Sequence, residues 1–363
     1  MIFRLVFDAI KGSLICGIGL LSCCGASAQP PGGQENGPGI SPGPAGRHSG
    51  ADHRVRLLWL NKAGEYGPGN YGRSFQFGGR KRFYEIHVPP GYKPGVPTPV
   101  VMILHGGGGN TPVMRFKTGM DALSNQEGFI VVYAAGTSSR YVDQRLHWNT
   151  GLPTKDPAQG KVDDVGYFSY IIDDLPKYFS VDKDRIYAAG FSNGARMCYR
   201  LAAELSDRIA AVAPIGAQRS LDEFAKKPSR EISIIHFHGK QDPFAAYAGG
   251  PSRGTGRGQF KPYPIPPVEK AIQTWAKHNG CSTKPKTGQV GKARCFQFSG
   301  GRNGAEVVLW VLEDGGHTWP GGQASRFEVL MRVGNTNRDI SASKLLWEFF
   351  QRHPLKKKSA ESR

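Results

Sequence analysis

Cysteine is scarce in this chain. Of six in 363 residues, Cys16, Cys23 and Cys24 fall within the first 24, leaving Cys198, Cys281 and Cys295. Three dispersed thiols exclude a disulfide-dense scaffold and a four-cysteine zinc module. His236 and His238 have a spacing compatible with a metal, but no third ligand accompanies them, so no metal site and no cofactor is read. Long apolar runs are missing as well; the stretch from Gly12 to Leu21 is too short to span a bilayer. Acid is in deficit, with 29 Asp and Glu against 47 Lys and Arg, a net charge of +18. The basic residues are scattered and carry no nucleic-acid motif, so the charge argues for non-specific attraction to acidic polymers and not for nucleic-acid binding. The glycine run Gly106–Gly109 is not followed by Gly-Lys-Ser/Thr, which removes a phosphate-binding loop. No internal repeat is present.

What is there begins with an export pattern. Residues 1–28 carry a positive start (Arg4, Lys11), a short apolar segment and Ala26-Ser27-Ala28, a small-residue cleavage site. Its removal lowers the net charge to +17. A competing reading takes Leu20-Leu21-Ser22-Cys23 as a lipoprotein box with a lipid anchor at Cys23, although Leu21 fits such boxes poorly. Either way the protein is expected to be secreted, periplasmic or held at the envelope. Residues 29–53 are dominated by Pro, Gly and Ser and read as a disordered linker. Residues 54–353 form the predicted catalytic domain, and 354–363 a basic tail. Cys281 and Cys295 flank the polar stretch Ser282–Arg294, and an exported protein permits a disulfide closing that loop. Cys198 is expected to be a buried free thiol.

Within the domain, apolar runs bounded by turn residues alternate with helical periodicity. Strands are expected at 82–88, 99–104, 129–134, before Gly190, and at 209–215, 232–237 and 307–312. Helices are expected at 167–179, from the elbow to about 205, and at 268–278 and 340–352. Residues 136–161 read as an irregular lid or rim, and 248–267 as a Gly/Arg/Pro-rich surface loop. The alternation predicts an α/β three-layer sandwich with a mostly parallel sheet.

The chemistry sits at four predicted strand ends, where open α/β sheets place their sites. Gly190-Phe191-Ser192-Asn193-Gly194 between a strand and a helix has the form of a nucleophile elbow. Gly190 and Gly194 remove β-carbons that would crowd a strained turn. A serine hydroxyl needs an imidazole to take its proton, and the imidazole needs a carboxylate to hold its tautomer. Asp242 and His317 follow Ser192 at later strand ends, in the order of α/β-hydrolases. The loop Gly106–Gly109 can aim backbone N–H groups at an oxyanion. His105 is expected to fix that loop by hydrogen bonding. Trp148 and Trp319 are candidates for lining the acyl or sugar site, against the ordinary alternative that buried aromatics are core.

Four segments together resemble the extracellular polyhydroxybutyrate depolymerase and feruloyl esterase group of serine esterases. They are Leu104-His105-Gly106-Gly107-Gly108-Gly109-Asn110, Gly190–Gly194, His238-Gly239-Lys240-Gln241-Asp242-Pro243 and Gly315-Gly316-His317-Thr318-Trp319-Pro320-Gly321. The resemblance spans about Arg82 to His353. It implies Ser192 as nucleophile, Asp242 as acid, His317 as base, and oxyanion N–H groups from Asn193 and about Gly107. Many members carry a cysteine where Gly107 stands, which leaves the substrate subgroup open. The expected activity is ester hydrolysis through an acyl-enzyme, on polyhydroxyalkanoate oligomers, feruloyl or acetyl esters of polysaccharide, or small esters. A serine peptidase or acyltransferase on the same fold, and a non-catalytic envelope-binding protein, are the alternatives.

Overall fold

The computed structural model describes residues 55–138, 146–154, 157–252, 263–324 and 332–355. The export segment, the Cys23 lipid box, the linker, most of the basic tail and parts of the 136–161 rim and the 248–267 loop lie outside the described residues.

Among the described residues the strands are β1 (Leu58–Trp59), β2 (Gly69–Phe77), β3 (Arg80–Val88), β4 (Thr98–Leu104), β5 (Ile130–Ala134), β6 (Val181–Phe191), β7 (Ala211–Ile215), β8 (Ser233–Gly239), β9 (Gly250–Pro251), β10 (Pro264–Ile265), β11 (Lys286–Val290), β12 (Ala293–Phe298) and β13 (Val307–Leu312). All but β9 and β10 join one sheet, ordered β1-β2-β3-β5-β4-β6-β7-β8-β13-β12-β11. From β5 through β13 the pairings are parallel. Antiparallel partners flank them, β2 and β3 on one side and β12 and β11 on the other. This is the α/β-hydrolase arrangement.

The central strands are apolar end to end because both faces are covered. In β4, Val100, Met102 and Leu104 turn to one face and Val101 and Ile103 to the other, all almost fully buried. The first face is covered by α4 (Asp164–Asp174), α5 (Asn193–Glu204) and α6 (Val268–Asn279). The second is covered by α1 (Thr111–Thr118), α2 (Met120–Glu127) and α7 (Ala342–Gln351). A short helix α3 (Pro157–Gly160) lies between β5 and α4. Each buried Leu, Ile, Val or Phe contributes about 1.5–3 kcal/mol relative to leaving it exposed. The three layers expected from the alternation are therefore present.

One expectation needs correction. Ser282–Arg294 is not a disulfide-closed loop. Most of it folds into the β11–β12 hairpin, whose backbone bonds join it to the sheet edge. Cys281 and Cys295 are both free thiols. Cys281 packs into the core on the α6 face, whereas Cys295, opposite Trp310 in register, packs against the other face. The sheet separates them. Strand β2 also went unread, since its glycines and polar residues (Gly69-Asn70-Tyr71-Gly72-Arg73) break the apolar alternation. Antiparallel pairing with β3 supplies the order its side chains do not.

Candidate active site

The elbow forms where β6 meets α5. Ser192 is the N-cap of the helix and has φ 55° and ψ −112°, a left-handed backbone rare for a non-glycine residue. The neighbours are glycines for the expected reason. A β-carbon on Gly190 would lie 2.5 Å from the Gly194 carbonyl oxygen; one on Gly194 would collide with the carbonyls of Leu104 and His105. The turn is held from outside by the Ser192 N–H, which donates to Ile215 O at 2.8 Å.

Three strand ends converge on the serine hydroxyl. His317 Nε2 is 2.9 Å from Ser192 Oγ, and His317 Nδ1 is 2.7 Å from Asp242 Oδ2. The loop after β8 and the loop after β13 approach closely at Gly239, where a β-carbon would strike the Gly315 and Gly316 carbonyls. That approach sets the carboxylate against the imidazole. Asp242 Oδ1 also accepts the N–H groups of Phe244 and Ala245, both at 2.8 Å. Burial pushes the Asp242 carboxyl up, but the His317 charge and hydrogen bond, with help from His238 and the Ala245 N–H, hold it below its ordinary value. His317 is fixed through its backbone N–H to Val333 O and sits between the rings of Phe191 and Phe244.

The glycine loop packs against the elbow. A β-carbon on Gly107 would come within 3.5 Å of the Asn193 β-carbon, so the two backbones are neighbours. Gly108 N–H donates to Leu146 O and Gly109 N–H to Gly106 O. As the first residue of α5, Asn193 has an N–H with no intrahelical acceptor. His105 acts as expected of a loop brace. Its Nε2 accepts the Gly136 N–H at 2.9 Å, which assigns the proton to Nδ1, 2.8 Å from Gly106 O. Burial lowers its pKa to about 4, so it is neutral and not an acid–base group at ordinary pH.

Trp148 and Trp319 do not line the site. Both are almost completely buried. The Trp148 indole N–H donates to His105 O at 2.9 Å and its ring stacks on His105. The Trp319 indole N–H donates to Ser343 Oγ at 3.0 Å, on the opposite core. An indole committed to the core has no face left for a ligand. Trp148 still matters locally, because its backbone N–H donates to Asn193 Oδ1 at 2.7 Å and ties the 146–150 segment to the elbow.

The spacing of His236 and His238 suits a metal but comes with no third ligand. In the fold they form one buried hydrogen-bond chain. His238 Nε2 faces Ala245 O at 2.7 Å, so it must donate; its Nδ1 then accepts from His236 Nε2 at 3.0 Å; His236 Nδ1 accepts from the Tyr199 hydroxyl at 3.0 Å. Burial keeps both imidazoles neutral. The chain ends on the turn that orients Asp242. The i,i+2 spacing on a strand was the signal available.

No family model matches the sequence. The chain is 28% identical over 287 residues to NocK of Nocardia uniformis subsp. tsuyamanensis, an esterase by name, covering 75% of this chain and 79% of that protein. It is 35% identical to feruloyl esterase B of Piromyces equi over 173 residues, 47% of this chain and 31% of that enzyme. It is 30% identical to poly(3-hydroxyalkanoate) depolymerase C of Paucimonas lemoignei over 129 residues, 36% of this chain and 30% of that one. The chain thus spans most of NocK but less than a third of the other two. Among solved structures, an acetyl xylan esterase from Aspergillus awamori aligns with TM-score 0.46 and 16% identity, covering 69% of this chain and 93% of that one. The fold assignment rests on the sheet order and the elbow and not on that likeness. The chain is an α/β-hydrolase-fold protein similar in sequence to the feruloyl esterase and polyhydroxyalkanoate depolymerase group.

Proposed function

We propose that the protein is an exported serine esterase that cleaves carboxylic esters through an acyl-enzyme. The observation that carries this reading is the unbroken series Asp242 Oδ2, His317 Nδ1, His317 Nε2 and Ser192 Oγ, with contacts of 2.7 and 2.9 Å. Ser192 Oγ attacks the ester carbonyl while His317 Nε2 takes its proton. Asp242 keeps the imidazole in the tautomer that leaves Nε2 free, and it stabilises the imidazolium that follows. The backbone N–H groups of Gly107 and Asn193 are the donors for the tetrahedral oxyanion, assisted by the positive end of α5. His317 then returns its proton to the leaving alcohol, and later activates the water that releases the acid. Export is supported by the pattern of residues 1–28, and no described helix is long and apolar enough to cross a membrane.

The test is Ser192→Ala. The purified variant is expected to keep its far-ultraviolet circular dichroism and lose turnover of 4-nitrophenyl esters by at least about 10³-fold. Undiminished turnover would end this reading. Parallel assays with amides and with competing alcohol acceptors separate an esterase from a peptidase or an acyltransferase. Absence of Ser192 labelling by a fluorophosphonate would favour a binding protein.

A further inference from the structure

One helical turn below the reactive serine lies Arg196, a cation with no counter-charge among the described residues. Arg196 donates its backbone N–H to Ser192 O, and helical side chains lean toward the helix N-terminus, so its guanidinium rises on the Ser192 side. Among the described residues no carboxylate pairs with it. It lies instead over the Tyr263 ring at 5.5 Å, and its Nε has no hydrogen-bond partner. The nearby Arg219 is different, because Glu223 neutralises it at 2.7 Å.

The surroundings repeat the same deficiency. The Tyr263 hydroxyl is likewise unpaired, and Arg196 and Arg219 both act on it electrostatically. Arg196 Nε and the hydroxyl of the ring it lies over are thus two buried polar atoms without partners, which is unusual, since such groups are nearly always satisfied. Arg82, Arg115 and Arg230 also leave Nε unpaired. Arg82 and Arg115, however, have carboxylate partners, and Arg230 binds carbonyls.

We infer that Arg196 and Tyr263 form a subsite for a carboxylate carried by the ester substrate. The inference rests on the serine-esterase reading of the neighbouring site. Arg196 and the Tyr263 hydroxyl donate to the carboxylate. A charge-assisted hydrogen bond of this kind raises kcat/KM for an acidic ester about tenfold over its neutral analogue.

Two substrate pairs locate the carboxylate. On the acyl side, 4-nitrophenyl hemiglutarate is compared with 4-nitrophenyl pentanoate; on the alcohol side, 3-carboxyphenyl acetate is compared with phenyl acetate. After correction for alkaline hydrolysis rates, the wild-type enzyme is expected to favour the acid about tenfold in one pair. That ratio falls toward one in Arg196→Gln, is partly retained in Arg196→Lys, and declines in the wild type as NaCl is raised to 1 M. Ratios near one in both pairs, or a ratio untouched by Arg196→Gln, would overturn the subsite. If Arg196→Gln does not fold, the wild-type salt series and Tyr263→Phe decide the matter alone. Failure to hydrolyse either neutral ester would instead count against the esterase reading.

Discussion

Replacing Asp242 by asparagine tests the candidate site more sharply than deleting the serine, because the fold dictates which way the amide must face. Asp242 Oδ1 accepts two backbone N–H groups, from Phe244 and Ala245, while Oδ2 accepts Nδ1–H of His317. Asparagine has one oxygen. Turning its NH₂ toward Phe244 and Ala245 would leave two buried donors unpaired, at about 1–3 kcal/mol each. The oxygen therefore stays with the backbone and the NH₂ points at His317. The imidazole answers by accepting at Nδ1 and carrying its proton on Nε2, where it meets Ser192 Oγ and cannot act as a base. A wrong tautomer of this kind costs about 10⁴ in kcat, equivalent to about 5–6 kcal/mol of transition-state stabilisation. The assay is steady-state hydrolysis of a 4-nitrophenyl ester at pH 7.5, with circular dichroism to establish that the variant folds. Activity within tenfold of the wild type would show that His317 reaches its working tautomer without Asp242, and the assignment of the acid would fall.

Acid is expected to destabilise the fold partly through His105, whose pKa drops from 6.5 to about 4 on burial. The unfolded chain binds the proton that the folded one refuses, so stability present above pH 6.5 is lost as the pH falls toward 4. That window corresponds to about 3 kcal/mol. In His105→Gln, urea unfolding between pH 7 and 4.5 should show a correspondingly shallower loss; parallel curves would refute the burial argument. For Trp319→Phe, loss of the bond to Ser343 and of ring volume should lower stability by about 1–3 kcal/mol. A large rise in KM without any fall in Tm would mean instead that Trp319 touches substrate.

The sequence by itself determined the fold class and pointed to the residues of the candidate active site. Gly190-x-Ser192-x-Gly194 is legible because a strained turn excludes β-carbons, and steric exclusion acts over two residues. The parallel sheet is legible because strands buried on both faces become continuous apolar runs, as in Pro99–Leu104 and Val307–Leu312. Properties set by which face a residue meets were decided only by the tertiary structure. Cys281 and Cys295 looked paired along the chain, yet the sheet passes between them. Trp148 and Trp319 looked like ligand contacts beside the catalytic motifs, yet both indoles turn inward to protein acceptors. Along the chain His236 and His238 had no role beyond a spacing that lacked a third metal ligand, yet a single carbonyl at Ala245 fixes both tautomers. Local sterics are written in neighbouring residues. The direction of a side chain and the identity of its hydrogen-bond partner depend on segments tens of residues away, and no local pattern encodes them.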